Sequence, residues 1–228
     1  MVPYVPLHMA AVDLDGILCK RVCEGRHEME DKQILYLYGD SNTYGYNPLA
    51  SCYEDARLPK DIRWPTMLQE RIKESIQIIE DGQNGRCLPG YEAELKRFQK
   101  VLGRYEKLDY FAVMLGTNDL LNQSSLNPLE IANHMDLLLQ AVKDIHEECQ
   151  CIVISPPMMG FSAGHPMNAI QEANVKLSNL YHEVAGKYIA RFIDAGKWDI
   201  DLFYDGIHLT EKGNRQFAEH MVSAFKQP

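Results

Sequence analysis

The sequence contains no apolar run approaching the ~18 residues that a bilayer crossing requires, so no membrane span is expected. Basic charge is also short: 23 Lys and Arg stand against 32 Asp and Glu, a formal net charge of −9. Without a basic face to hold phosphates, nucleic acid is not expected as a partner. The first residues, Met1 to Ala11, lack a basic n-region and soon meet Asp13 and Asp15. That is a poor signal peptide, and a cytoplasmic protein is the expectation. Cysteine is present six times but without paired spacing, since Cys19 and Cys23 are four apart and Cys149 and Cys151 two apart. The C-x-x-C pairs of a zinc site are missing, so free thiols are expected, with no metal and no disulfide framework. No internal repeat, low-complexity segment or change of composition divides the chain, and one domain follows.

What is present is a core-forming chain of 228 residues, 46% of them apolar. Residues 1–30 show neither helical nor strand periodicity and read as a loosely structured extension before a domain over 31–228. Met29 stands just ahead of the first strand, and removal of residues 1 to 28 is expected to leave fold and activity intact. From Gln33 the pattern repeats as strand, loop and helix. Ile34 to Tyr38, Ser75 to Glu80, Tyr110 to Leu115, Cys151 to Ser155 and Tyr188 to Ile193 read as strands. Helices are expected over Tyr91 to Leu102, stopped by Gly103, after the Asn127-Pro128 cap, from about Pro166, and after Thr210. Ile131, Met135, Leu138, Val142 and Ile145 recur at helical spacing as a buried stripe. Five strands alternating with helices imply a three-layer α/β/α fold around a five-stranded parallel sheet.

Several strands end in turns rich in polar residues, and in a parallel sheet those turns share one edge. The first gives Gly39-Asp40-Ser41-Asn42, the second Gly85, the third Asn118. The fifth strand leads to Asp205-Gly206-Ile207-His208, an Asp and a His three residues apart. A serine hydroxyl needs a base within reach to become a nucleophile. An imidazole, titrating near ~6.5, can take and return that proton, and a carboxylate on its other nitrogen can orient it. Ser41, Asp205 and His208 are therefore the candidate catalytic residues. The oxyanion of acyl transfer needs donors, and the N–H groups of Ser41 and Gly85 and the amide of Asn118 are the candidates. Glycine at 85 suits close approach of backbone to a reacting oxygen.

These blocks, in this order, resemble the SGNH (GDSL-type) hydrolase superfamily over roughly Gln33 to Phe225. Asn42 stands where many members carry leucine. Ile62-Arg63-Trp64, Glu80-Asp81-Gly82 through Arg86, Gly116-Thr117-Asn118-Asp119 and Asp205-Gly206-Ile207-His208-Leu209-Thr210-Glu211 resemble its arylesterase/acyltransferase branch more narrowly. Gly85 stands where parts of that branch carry alanine, and the loop Tyr44–Lys60 differs in composition. The resemblance implies a flavodoxin-like fold and a serine esterase without a cofactor. It also implies small acyl groups, especially acetyl, on alcohol or aryl esters, hydrolysed or transferred, and often a homo-oligomer. Tyr44, Tyr46, Trp64, Met158 and Phe161 are candidates for lining the substrate pocket. Trp64 equally fits the core, and Asp40 fits a structural role in its turn. A carbohydrate O-deacetylase or thioesterase of the same superfamily competes with this reading, because the pocket rather than the fold decides the substrate. A flavodoxin-like binding module is the rival outside catalysis, but it leaves Asp205 and His208 without a role.

Overall fold

The segments that read as strands pair into a single parallel sheet in the computed structural model, which describes residues 32–51, 56–123, 125–161 and 164–226. The expected extension over residues 1–30, with Cys19 and Cys23, lies outside the described residues, as does Cys52. The strands are β1 (Gln33–Gly39), β2 (Ile76–Gly82), β3 (Tyr110–Met114), β4 (Gln150–Ile154) and β5 (Arg191–Ile193), ordered β2-β1-β3-β4-β5. β1 therefore sits between β2 and β3, and the chain reverses its direction of travel across the sheet there. Open α/β sheets bind ligands at such a switch point, outside the carboxyl ends of the strands. The register brings those ends level, with Gly39 beside Gly82 on one side and Met114 on the other.

The alternation of side chains along each strand fills two cores. Leu35 and Leu37, Ala112 and Met114, and Ile152 and Ile154 face one layer of helices. Tyr36, Phe111, Val113, Cys151 and Val153 face the other. This two-sided burial explains why the strands read as continuous apolar runs. The helices are α1 (Ser41–Tyr44), α2 (Trp64–Ile72), α3 (Glu92–Leu102), α4 (Thr117–Asn122), α5 (Pro128–Ile145), α6 (Asn168–Lys187) and α7 (Glu211–Lys226). Helices α2 and α7 cover the first face; α3, α5 and α6 cover the second. On α5 the expected stripe holds for Ile131, Met135, Leu138 and Val142, whereas Ile145, at the last turn, is 41% exposed.

Other differences have local causes. β2 runs two residues past Glu80 because its pairing with β1 continues through Asp81 and Gly82. β5 begins only at Arg191, since the chain turns after α6 with Ile189 exposed and left-handed at φ 52°. Gly103 caps α3 with an ordinary right-handed φ of −68°, not the left-handed conformation that glycine uniquely favours. That helix buries Phe98 and Leu102 against the sheet. The turns after β1 and β3 continue as the short helices α1 and α4. No described helix is long and apolar enough to cross a membrane.

Candidate active site

The end of β1 is built to present Ser41. Asp40 caps α1 by accepting from the Asn42 N–H at 2.9 Å, and Gly45, left-handed at φ 81°, closes the single turn by donating to the Ser41 carbonyl. Ser41 opens the helix, so no turn of α1 uses its N–H. The end of β2 lies directly against this turn: a Cβ on Gly82 would sit 2.4 Å from the Tyr44 nitrogen.

Across the sheet edge, the segment before α7 carries Asp205 and His208. The Ser41 Oγ lies 3.0 Å from His208 Nε2, and His208 Nδ1 lies 2.6 Å from Asp205 Oδ2. The other carboxylate oxygen, Oδ1, accepts from the Ile207 N–H at 2.9 Å and the His208 N–H at 3.0 Å. Burial works against charge on Asp205, but the His208 side chain and these two N–H groups outweigh it and hold its carboxyl below the ordinary value. An ionised Asp205 accepts from Nδ1–H, which turns the Nε2 lone pair toward the Ser41 hydroxyl. A nucleophile, a base and an orienting acid can act from this geometry.

The two other turns meet at the same edge. The Asn118 Nδ2 donates to the Arg86 carbonyl at 3.1 Å, linking the turn after β3 to the turn after β2 that holds Gly85. Arg86 in turn donates to the Gly39 carbonyl at 3.0 Å and to Asp81 Oδ1 at 2.7 Å, with its guanidinium 4.1 Å from the Tyr38 ring centre. This one side chain ties the Gly85 turn to the strand end that carries Ser41. A Cβ built on Gly85 meets nothing within 4 Å, but its φ is +72°. Backbone conformation alone gives the protein a reason for glycine here.

The pocket candidates separate. Trp64 does not line the site: it is fully buried, its ring packed at 4.7 Å on Phe217 and its indole N–H donated to the Asn42 carbonyl at 3.0 Å. It supports the site from behind. Tyr44 turns its ring under the Arg57 guanidinium, 4.2 Å away, whereas Tyr46 stands 4.7 Å from the His208 ring. Met158 is half-buried, and Phe161 stacks on His165 at 5.0 Å. Their loop is joined to the Asp205 segment by the Gly160 N–H, which donates to the Gly206 carbonyl at 2.8 Å. Asn42, bonded to both sides of His208, is the contributor that sequence reasoning did not assign. For Asn42 the signal was an amide in a block where leucine is common.

Two carboxyls lie beneath this edge. Burial pushes Asp40 up to about 7 and Asp119 up to about 6, the latter although it accepts from the Leu88 N–H. Burial also raises the Cys87 thiol, two residues beyond Gly85. Among the described residues no group of three or more His, Cys, Asp or Glu side chains could hold a metal ion.

The GDSL-like lipase/acylhydrolase family model matches residues 37–216. Among solved structures, a carbohydrate acetylesterase from Sinorhizobium meliloti, Est24, is similar with a TM-score of 0.71 and 25% identity, covering 85% of this chain and 98% of the other. An aryl esterase from M. smegmatis is similar in fold, with a TM-score of 0.70 and 24% identity over 85% of this chain and 98% of its own. A lipase/acylhydrolase from Enterococcus faecalis has a TM-score of 0.64 and 22% identity, covering 85% and 95%. No curated protein sequence matches the chain.

Proposed function

Because the chain belongs to the GDSL-like lipase/acylhydrolase family and is a carboxylic ester hydrolase, we propose that it removes short acyl groups, acetyl above all, from small alcohol or aryl esters. The observation that carries the reading is the unbroken chain of contacts from Ser41 Oγ through the His208 ring to Asp205.

In this reading Ser41 Oγ attacks the ester carbonyl carbon while His208 Nε2 takes the hydroxyl proton. Negative charge collects on the former carbonyl oxygen, where the N–H groups of Ser41 and Gly85 and the Asn118 amide receive it. Losing one such donor typically costs about 10²–10³ in turnover. Asp205 stabilises the imidazolium, which then gives its proton to the departing alkoxide or phenoxide. The acyl group is left on Ser41. Water, or another alcohol where transfer occurs, enters by the same steps in reverse and restores the serine.

Aromatic surfaces beside the triad support an aryl or other flat leaving group, with Tyr46 against His208 and Phe161 stacked on His165. The likeness to a carbohydrate acetylesterase favours an acetylated sugar as the second reading. We place the reaction in the cytoplasm, since Cys87, Cys149 and Cys151 are free thiols. The net charge of −9 favours a small-molecule partner over nucleic acid.

Purified protein assayed on p-nitrophenyl acetate, butyrate and octanoate, beside Ser41→Ala and His208→Ala, tests this. Acetate should be cleaved fastest, and both variants should fall to background. Equal rates in all three proteins would end the esterase assignment of these residues, while a preference for octanoate would remove only the short-acyl part.

A further inference from the structure

We propose that Asn42 is a positioning residue whose side chain sets His208 against Ser41, an inference that rests on the catalytic reading of that pair. The carboxamide behaves as an extra peptide group between two segments 165 residues apart. Its Nδ2 donates to the Ile207 carbonyl at 3.1 Å, and its Oδ1 accepts from the Leu209 N–H at 3.1 Å. These two partners straddle His208.

The main chain around the histidine is fully accounted for. The N–H groups of Ile207 and His208 go to Asp205 Oδ1, at 2.9 and 3.0 Å. The His208 carbonyl accepts from the Phe203 N–H at 2.8 Å, and the Leu209 carbonyl from the Asn214 Nδ2 at 3.1 Å. Those four bonds hold the segment to its own loop and to α7, and none of them reaches the serine. The two remaining groups are the ones Asn42 takes, and only these bonds attach the histidine's backbone to α1. Asn42 is itself fixed on both sides, its N–H to Asp40 Oδ1 at 2.9 Å and its carbonyl to the Trp64 indole at 3.0 Å. At 3% exposure it is largely shielded from solvent, where a lost partner is costly.

The Ser41–His208 contact of 3.0 Å thus follows from one residue that is covalently next to the serine and bonded to both sides of the histidine. A leucine at 42 could make neither bond. It would leave the Leu209 N–H buried and unpaired, take the Asn42 donor from the half-buried Ile207 carbonyl, and free the histidine to drift. Displacement of a reacting group by about 1 Å can cost roughly 10²-fold in rate. Substrate binding, which does not involve Asn42, should change little.

The test is steady-state cleavage of p-nitrophenyl acetate by Asn42→Leu and Asn42→Asp, with active sites counted by exhaustive fluorophosphonate titration. Asn42→Leu should lose about 10- to 100-fold in kcat, with KM held within about 3-fold. Asn42→Asp is the same size and decides the matter if the leucine variant does not fold. Its carboxylate still accepts from Leu209 but sets a second bare oxygen against the Ile207 carbonyl, and protonation returns a donor there. Asp40, Asp205 and His208 face the same spot, so its kcat is read as a ratio to the unmodified protein, and that ratio should climb as pH falls. Unchanged kcat per titrated site in Asn42→Asp, with a pH-independent ratio, would overturn the inference. Ser41→Ala and His208→Ala run alongside separate the two levels. If they are inactive and the Asn42 variants normal, only Asn42's role fails. If they stay active, the catalytic reading fails with it.

Discussion

Asp40→Asn should stabilise the protein at pH 8 relative to its effect at pH 5. Asp40 is 2% exposed, and among the described residues its carboxyl takes one hydrogen bond from another residue, the Asn42 N–H at 2.9 Å. An asparagine oxygen can accept the same bond, so the helix cap survives the change. Burial is the main cause that lifts this carboxyl from 3.8 to about 7, with the charge of Asp119 adding to it and the Asn42 N–H and Arg86 opposing. The unfolded chain therefore gives up this proton near 3.8 and the folded chain near 7. Between those values the folded state binds more protons, so its stability falls as pH rises; the contribution is complete below the lower value and gone above the higher one. From pH 5 to 7 the span is about 2 pH units, worth roughly 3 kcal/mol at about 1.36 kcal/mol each. Asparagine carries no such dependence. Urea unfolding of both proteins at pH 5 and pH 8 should show the difference, variant minus unmodified, shift by about 3 kcal/mol in favour of the variant. A difference that stays flat with pH, or shifts the other way, would refute the buried, discharged Asp40 and imply a charge stabilised in place.

Asp205→Asn should leave the protein folded and lower kcat by about 10³–10⁴, because the amide no longer holds the imidazole tautomer or its positive charge; ester hydrolysis by folded protein checks it. Phe217→Ala should cost about 3–5 kcal/mol in urea unfolding, since the ring is fully buried between Trp64 at 4.7 Å and Trp198 at 5.0 Å. Gly85→Ala should cost about 1–2 kcal/mol in the same measurement, from the left-handed φ alone. No clash adds to it, because a Cβ there meets nothing within 4 Å.

The sheet was legible because its central strands β1, β3 and β4 are apolar on both faces and the strands end in a change to Gly, Asp, Ser or Asn, as at Tyr38-Gly39-Asp40. Ser41, Asp205 and His208 were legible for a different reason: few residue types can make a nucleophile and its base, and the chain offers a serine at a strand end and an Asp and a His three residues apart just before the last helix. What sequence could not reveal was direction. Trp64 and Tyr44 are both aromatic and both were candidates for the pocket, yet one faces the core and the other faces Arg57. Tyr46, two residues on, is the one that meets His208. Asn42 was hidden by distance, because its partners Ile207 and Leu209 lie 165 and 167 residues away. At Gly85 the sequence suggested a close approach to a reacting oxygen, whereas the φ of +72° that also favours glycine there is invisible in a sequence.

The central claim is that Ser41 takes the acyl group with His208 as its base. Intact-mass analysis and peptide mapping after reaction with a fluorophosphonate, a trap for activated serines, reads this directly. One adduct per chain should form, on the peptide that holds Ser41; none should form in Ser41→Ala, and labelling should slow by orders of magnitude in His208→Ala. An adduct on another residue, or labelling that persists undiminished in Ser41→Ala, would contradict it.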